Sequence, residues 1–97
     1  MLSNPQKSQL RALANPLRPL GQIGKEGLSG NLLNFLDDVL ESHELIKVRL
    51  LKSCPVTANE IAIEVIRQLH CELVQDIGRI LIFYRTSKEN KKIRLVK

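Results

Sequence analysis

Two glycines spaced three apart, in Gly24-Lys25-Glu26-Gly27, give this chain its sharpest chemical signal. Glycine permits a tight turn and leaves no Cβ between the backbone N–H groups and an approaching anion. The tetrapeptide leads into Leu28-Ser29 and a helical pattern, so its amides sit beside a helix N-terminus. There, unpaired N–H groups and the helix dipole favour a phosphate. Lys25 adds a mobile positive charge at the tip, whereas the Glu26 carboxylate repels phosphate unless it points away. In KH domains a G-x-x-G loop clamps nucleic-acid backbone by this logic. Alone, the tetrapeptide is a weak signal, since a plain strand-to-helix turn accounts for most such sequences. Lys7, Arg11 and Arg18 precede it, and Arg79 and Arg85 bracket the last apolar run. One exposed cation is ordinarily just a solvated side chain; several around a phosphate-shaped loop point to a polyanion.

Catalytic chemistry finds little footing. His43-Glu44 and His70-Cys71 each place titratable groups side by side, but neighbours on a strand point to opposite faces. Asp37-Asp38 on a helix diverge by about 100°. No nucleophile elbow, Walker loop or metal-ligand spacing is present. The expectation is a non-enzymatic chain with no catalytic residue, metal, cofactor or small-molecule substrate. Cys54 and Cys71 match neither C-x-x-C nor a zinc pattern and are expected as free, buried or half-buried thiols. Phe35, Phe83 and Tyr84 are the only aromatics. Phe35 lies on or beside a helix stripe and is assigned to the core. Phe83 and Tyr84 point to opposite faces of one strand, which leaves one of them free to be exposed. Recognition would then rest on phosphates and shape more than on base edges.

Charge distribution sharpens the reading. Residues 1–25 carry four cations and no acid, 26–84 are net −4, and 85–97 are net +5, against +5 for the chain. If folding brings the ends onto one side, the molecule presents a basic face to a polyanion. A solvated basic tail is the plainer alternative. At 97 residues and 43% hydrophobic content, one domain over 1–97 is expected, its folded core at about 2–87 and a basic tail over 86–97. No apolar run reaches transmembrane length, and no basic-then-apolar leader opens the chain. The expectation is a cytoplasmic monomer that engages no membrane.

The elements that must hold these groups can be read in turn. Ser3 with Gln6 forms a capping box, and Leu10, Leu13 and Ala14 a short stripe, ended by Asn15-Pro16. Lys7 and Arg11 lie one turn apart on a shared face. Leu20–Ile23 is a short strand. Ser29 caps a second helix with apolar Leu32, Leu33, Leu36, Val39 and Leu40. From Glu44 to Lys52, Ile46, Val48 and Leu50 alternate with Lys47 and Arg49, marking a strand with one charged face. Thr57 with Glu60 forms a second capping box ahead of Ala58, Ile61, Ala62, Val65, Ile66 and Leu69. Residues 72–77 and 79–85, meeting at Gly78, read as a hairpin, and Ile93–Val96 as a last extended piece. The order α-β-α-β-α-β-β implies a two-layer α/β (α+β) domain with a four-stranded mixed sheet.

With these stretches laid out, the chain resembles the CRM domain family (chloroplast RNA splicing and ribosome maturation), in particular its stand-alone bacterial YhbY-type members. Leu10–Ala14, Gly24–Ser29, His43–Arg49 and Val74–Arg85 carry the resemblance, which spans about residues 2–87. It implies a fold like the C-terminal domain of translation initiation factor three. It also implies RNA binding by Gly24, Lys25 and Gly27, with Glu26 in the loop, and association with ribosomal RNA in precursors of the large ribosomal subunit. Lys47, Arg49 and Arg85 fall at positions usually basic in the family. Residues 51–71 match it only in apolar spacing. The competing reading is a protein-interaction module that docks an acidic partner through its basic ends.

Overall fold

The computed structural model describes residues 2–96. Its elements run α1 (Asn4–Ala14), β1 (Gly21–Ile23), α2 (Gly30–His43), β2 (Leu45–Leu50), α3 (Ala58–Leu69), β3 (Glu72–Ile77) and β4 (Ile80–Tyr84), in the expected order. Each helix begins where a hydroxyl can satisfy an otherwise orphaned amide. Ser3, Ser29 and Thr57 accept from Gln6, Leu32 and Glu60 respectively. At Ser3 the Gln6 side chain returns the bond and completes the box.

The four strands form one mixed sheet in the order β1-β2-β4-β3. β1 and β2 are parallel, with Ile23 opposite Leu50, and α2 makes the crossover a parallel pair requires. β2 with β4 and β3 with β4 are antiparallel. The β3–β4 loop is Gly78-Arg79, and the positive φ of Gly78 (60°) suits the first central position of a two-residue hairpin turn.

Strand alternation sends two sets of side chains to opposite faces. Ile46, Val48, Leu50, Leu81 and Phe83 form the larger core with Leu36 and Leu40 of α2 and Ile61, Ala62, Val65 and Leu69 of α3. Leu45, Val74, Ile82 and Tyr84 meet Leu10 and Ala14 of α1 on the other face. The α+β class with a four-stranded mixed sheet is thus as expected, and α1 adds cover to the second face. For that reason Phe83 and Tyr84 are both buried, at 0% and 4% exposure, and neither is left open to solvent.

Residues 86–96, expected as a basic tail ending in an extended piece, form no helix or strand but are tied back to the body. Glu44 is fully buried at the C-cap of α2 with φ 65°. Its carboxylate accepts from the Ser87, Lys92 and Ile93 amides at 2.7, 2.6 and 2.8 Å. Glu41, one turn earlier, accepts from the Ser87 hydroxyl at 2.5 Å and from the Lys88 and Glu89 amides. Gln6 and Gln9 of α1 bond the backbone of Val96 and Arg94, and Ile93 and Leu95 pack on the α1-side core. No helix among the described residues is long and apolar enough to cross a membrane.

Candidate nucleic-acid interface

Gly24 follows directly on β1. The Gly27 amide donates to the Gly24 carbonyl at 3.0 Å, closing a four-residue turn with Lys25 and Glu26 at its exposed centre. Gly27 has φ +64°, a backbone conformation that strains other L-residues, and a Cβ there would meet nothing within 4 Å. Gly24, Lys25, Glu26 and Gly27 share a hollow with Gln22 of β1 and with Ser29 and Leu32 at the start of α2. Glu26 also borders a second hollow with Glu60 and Glu64 of α3. The turn therefore stands where a cationic surface meets an acidic one.

Because β1 and β2 are parallel, their C-terminal ends lie side by side, the place where open α/β sheets present ligand-binding loops. The Leu51 amide donates to Ile23 at 2.9 Å, and Cys54 closes a turn back to Leu51. That turn carries exposed Lys52 beside the glycine loop. Arg79 joins them, since its carbonyl accepts from the Leu50 amide at 2.7 Å. Lys52 was not singled out from the sequence. The signal that could have found it is its position just past the end of a strand parallel to β1.

A second set of cations lies on the α1 side of the sheet. Lys47 and Arg49 alternate with the Ile46 and Val48 core residues, and Lys47 Nζ donates to the Asn15 carbonyl at the end of α1 at 3.2 Å. Arg11 shares a hollow with Lys47, Gln75, Ile77 and Ile80, and half-buried Lys7 is one turn earlier on α1. Arg18 is exposed in the α1–β1 connection, two residues before Leu20, whose amide donates to Lys47. The C-terminal segment with Lys91, Lys92 and Arg94 borders α1 as well. Cations from both basic ends of the chain thus lie against one side of the sheet, while Asp37, Asp38, Glu41, Glu60 and Glu64 ride on α2 and α3 across it, where Arg85 and Lys88 border the acids of α2.

Arg85 does not join the others. Its amide donates to Glu44 at the start of β2, roughly 20 Å along that strand from the glycine loop. Its guanidinium holds the Asp37 carboxylate at 2.6 Å, the Leu69 carbonyl and the Asp37 carbonyl, fastening α2 to the end of α3. Arg79 and Arg85 bracket β4 in sequence and so stand at its opposite ends.

The groups with catalytic potential have structural partners. His43 Nδ1 lies within hydrogen-bond range of Ser42 Oγ and the Val39 carbonyl. His70 adopts the left-handed conformation as the α3 cap. Burial pushes the Cys71 thiol up to about 11, which disfavours the nucleophilic thiolate. Cys54 and Cys71 are free, and no cluster of three or more His, Cys, Asp or Glu side chains suited to a metal occurs among the described residues.

The sequence model of the CRS1 / YhbY (CRM) domain matches residues 2–85. Over 95 residues the chain is 40% identical to the Bacillus subtilis protein called "Probable RNA-binding protein YqeI", covering 98% of this chain and 99% of that one. A Haemophilus influenzae protein named "RNA-binding protein" is 38% identical over 90 residues, covering 93% of this chain and 91% of its own length. The solution structure of SAV1595 from Staphylococcus aureus matches with a TM-score of 0.82 at 44% identity, over 99% of this chain and all of that one.

Proposed function

Because the chain belongs to the CRS1 / YhbY (CRM) domain family, we propose that it binds RNA without chemically altering it. The bound backbone is held by the Gly24–Gly27 turn and the cations around it. The observation that carries this reading is the segregation of charge across the sheet. Arg11, Lys47 and Arg49 lie on one side and Lys25, Lys52 and Arg79 gather at the end bearing the turn, while the acids of α2 lie across the sheet and Glu60 and Glu64 of α3 border the far flank of the turn at Glu26. Lys25 supplies charge at the turn, Gly27 lets its backbone approach, and the remaining cations follow the phosphates beyond. The RNA we propose is ribosomal, in precursors of the large ribosomal subunit, with the protein acting as a cytoplasmic monomer that aids assembly.

Neutralising a phosphate releases condensed counterions, so affinity falls with salt in proportion to the contacts made. Four to six contacts correspond to a loss of roughly 10²- to 10³-fold between 50 and 200 mM salt. Titrating a large-subunit ribosomal RNA fragment across that range tests the reading. Lys25→Ala is expected to weaken binding and flatten the salt slope by about one contact. Affinity indifferent to salt, or unaltered by Lys25→Ala, would contradict it.

A further inference from the structure

Of the three aromatic side chains, Phe83 and Tyr84 are buried at 0% and 4%, whereas Phe35 is 42% exposed. Its ring borders the outer edge of the sheet, with Cε2 3.6 Å from where a Cβ on Gly21 would stand. Gly21 begins β1, an edge strand, and the glycine turn begins at Gly24. Three residues of strand separate the two, or about 10 Å, close to three nucleotide steps at a stacked rise of about 3.4 Å. Leu32 lines the hollow at the turn, and Phe35 follows three residues later on the same helix face, with exposed Asn31 one turn back.

We propose that Phe35 is a stacking platform for an unpaired nucleobase whose strand is held at the Gly24–Gly27 turn, an inference that rests on the RNA-binding reading above. The arrangement sorts the two halves of a nucleotide. Lys25 and the start of α2 offer charge and N–H groups for phosphate, and Phe35 offers a π-face that any base can cover. Charge along α2 sets the direction of the track. On the face of α2 that Phe35 shares, the turn side presents neutral Asn31, while Asp38 comes one turn beyond the ring and repels a continuing backbone. A base within a duplex is stacked on its neighbours and cannot reach the ring, so the selected substrate is RNA with looped or single-stranded nucleotides.

The test compares wild type, Phe35→Ala, Phe35→Leu and Lys25→Ala by fluorescence anisotropy on a short single-stranded RNA and on the same strand annealed to its complement. Phe35→Leu keeps apolar contact with the Gly21 edge and guards against misfolding. Both Phe35 variants are expected to bind the single strand about tenfold more weakly and the duplex as wild type does, while Lys25→Ala weakens both. Phe35 variants that bind the single strand like wild type would overturn the stacking role alone. So would an equal loss on both RNAs, or a change in oligomeric state without a change in affinity. If wild-type protein bound neither RNA, the RNA-binding reading itself would fall.

Discussion

Gly27 is where backbone geometry and ligand chemistry can be separated by one substitution. Its φ of +64° is tolerated by Asp better than by most residues, and open space surrounds the missing Cβ. Gly27→Asp is therefore expected to lower folding stability by only ~1 kcal/mol, seen as a small drop in Tm. The new carboxylate should lower RNA affinity by about 1–3 kcal/mol, the scale of a lost charge-assisted hydrogen bond. Normal RNA binding by a folded Gly27→Asp protein would move the site elsewhere. At this scale the sequence was legible where chemistry is local, as at the turn and the Ser3, Ser29 and Thr57 caps. It was not legible for Arg85, whose role depends on Asp37 and Leu69, distant in sequence. Phe35 was assigned to the core because it adjoins the apolar stripe, but only Leu36 and Leu40 of α2 are fully buried.

Element order could be read from caps, stripes and alternation because each is set by neighbouring residues. Layering could not, because it depends on which face a short helix finds. One clue was present: the unbroken apolar run Ile80–Tyr84 marks a strand buried on both faces, and α1 supplies the second cover. The C-terminal segment was the least legible element. Its polar, basic composition suggests a tail, yet two carboxylates from α2 organise it. Burial pushes the Glu44 carboxyl up, but the Ser87, Lys92 and Ile93 amides and the Lys91 charge outweigh it and hold the group below its usual 4.5. A depressed carboxyl stabilises the fold fully above its unfolded pKa and loses that contribution as pH falls through the folded one. Amide exchange at Ser87, Lys92 and Ile93 is thus expected to accelerate as pH drops below about 4.5, relative to core strand amides at the same pH. Glu44→Ala leaves those amides without their acceptor and is expected to cost about 2–4 kcal/mol in denaturant unfolding. A variant as stable as wild type would show that the segment is not fastened through this carboxylate.

Across the whole molecule, cations from the chain's two ends, Arg85 and Lys88 apart, are brought onto one side of the sheet, and its acidic middle is placed largely on the two helices opposite. Such a separation orients a polyanion before contact and makes the encounter salt-dependent. It also creates two basic regions about a strand's length apart: the turn end with Lys25, Lys52 and Arg79, and the C-terminal segment with Lys91, Lys92 and Arg94. RNA binding at the turn end is the central claim, and amide NMR of labelled protein titrated with a large-subunit ribosomal RNA fragment tests it most directly. Shifts concentrated at 22–32, 47–52 and 79 are the expected result. Shifts confined to 86–94, with Gly24–Gly27 silent, would contradict it.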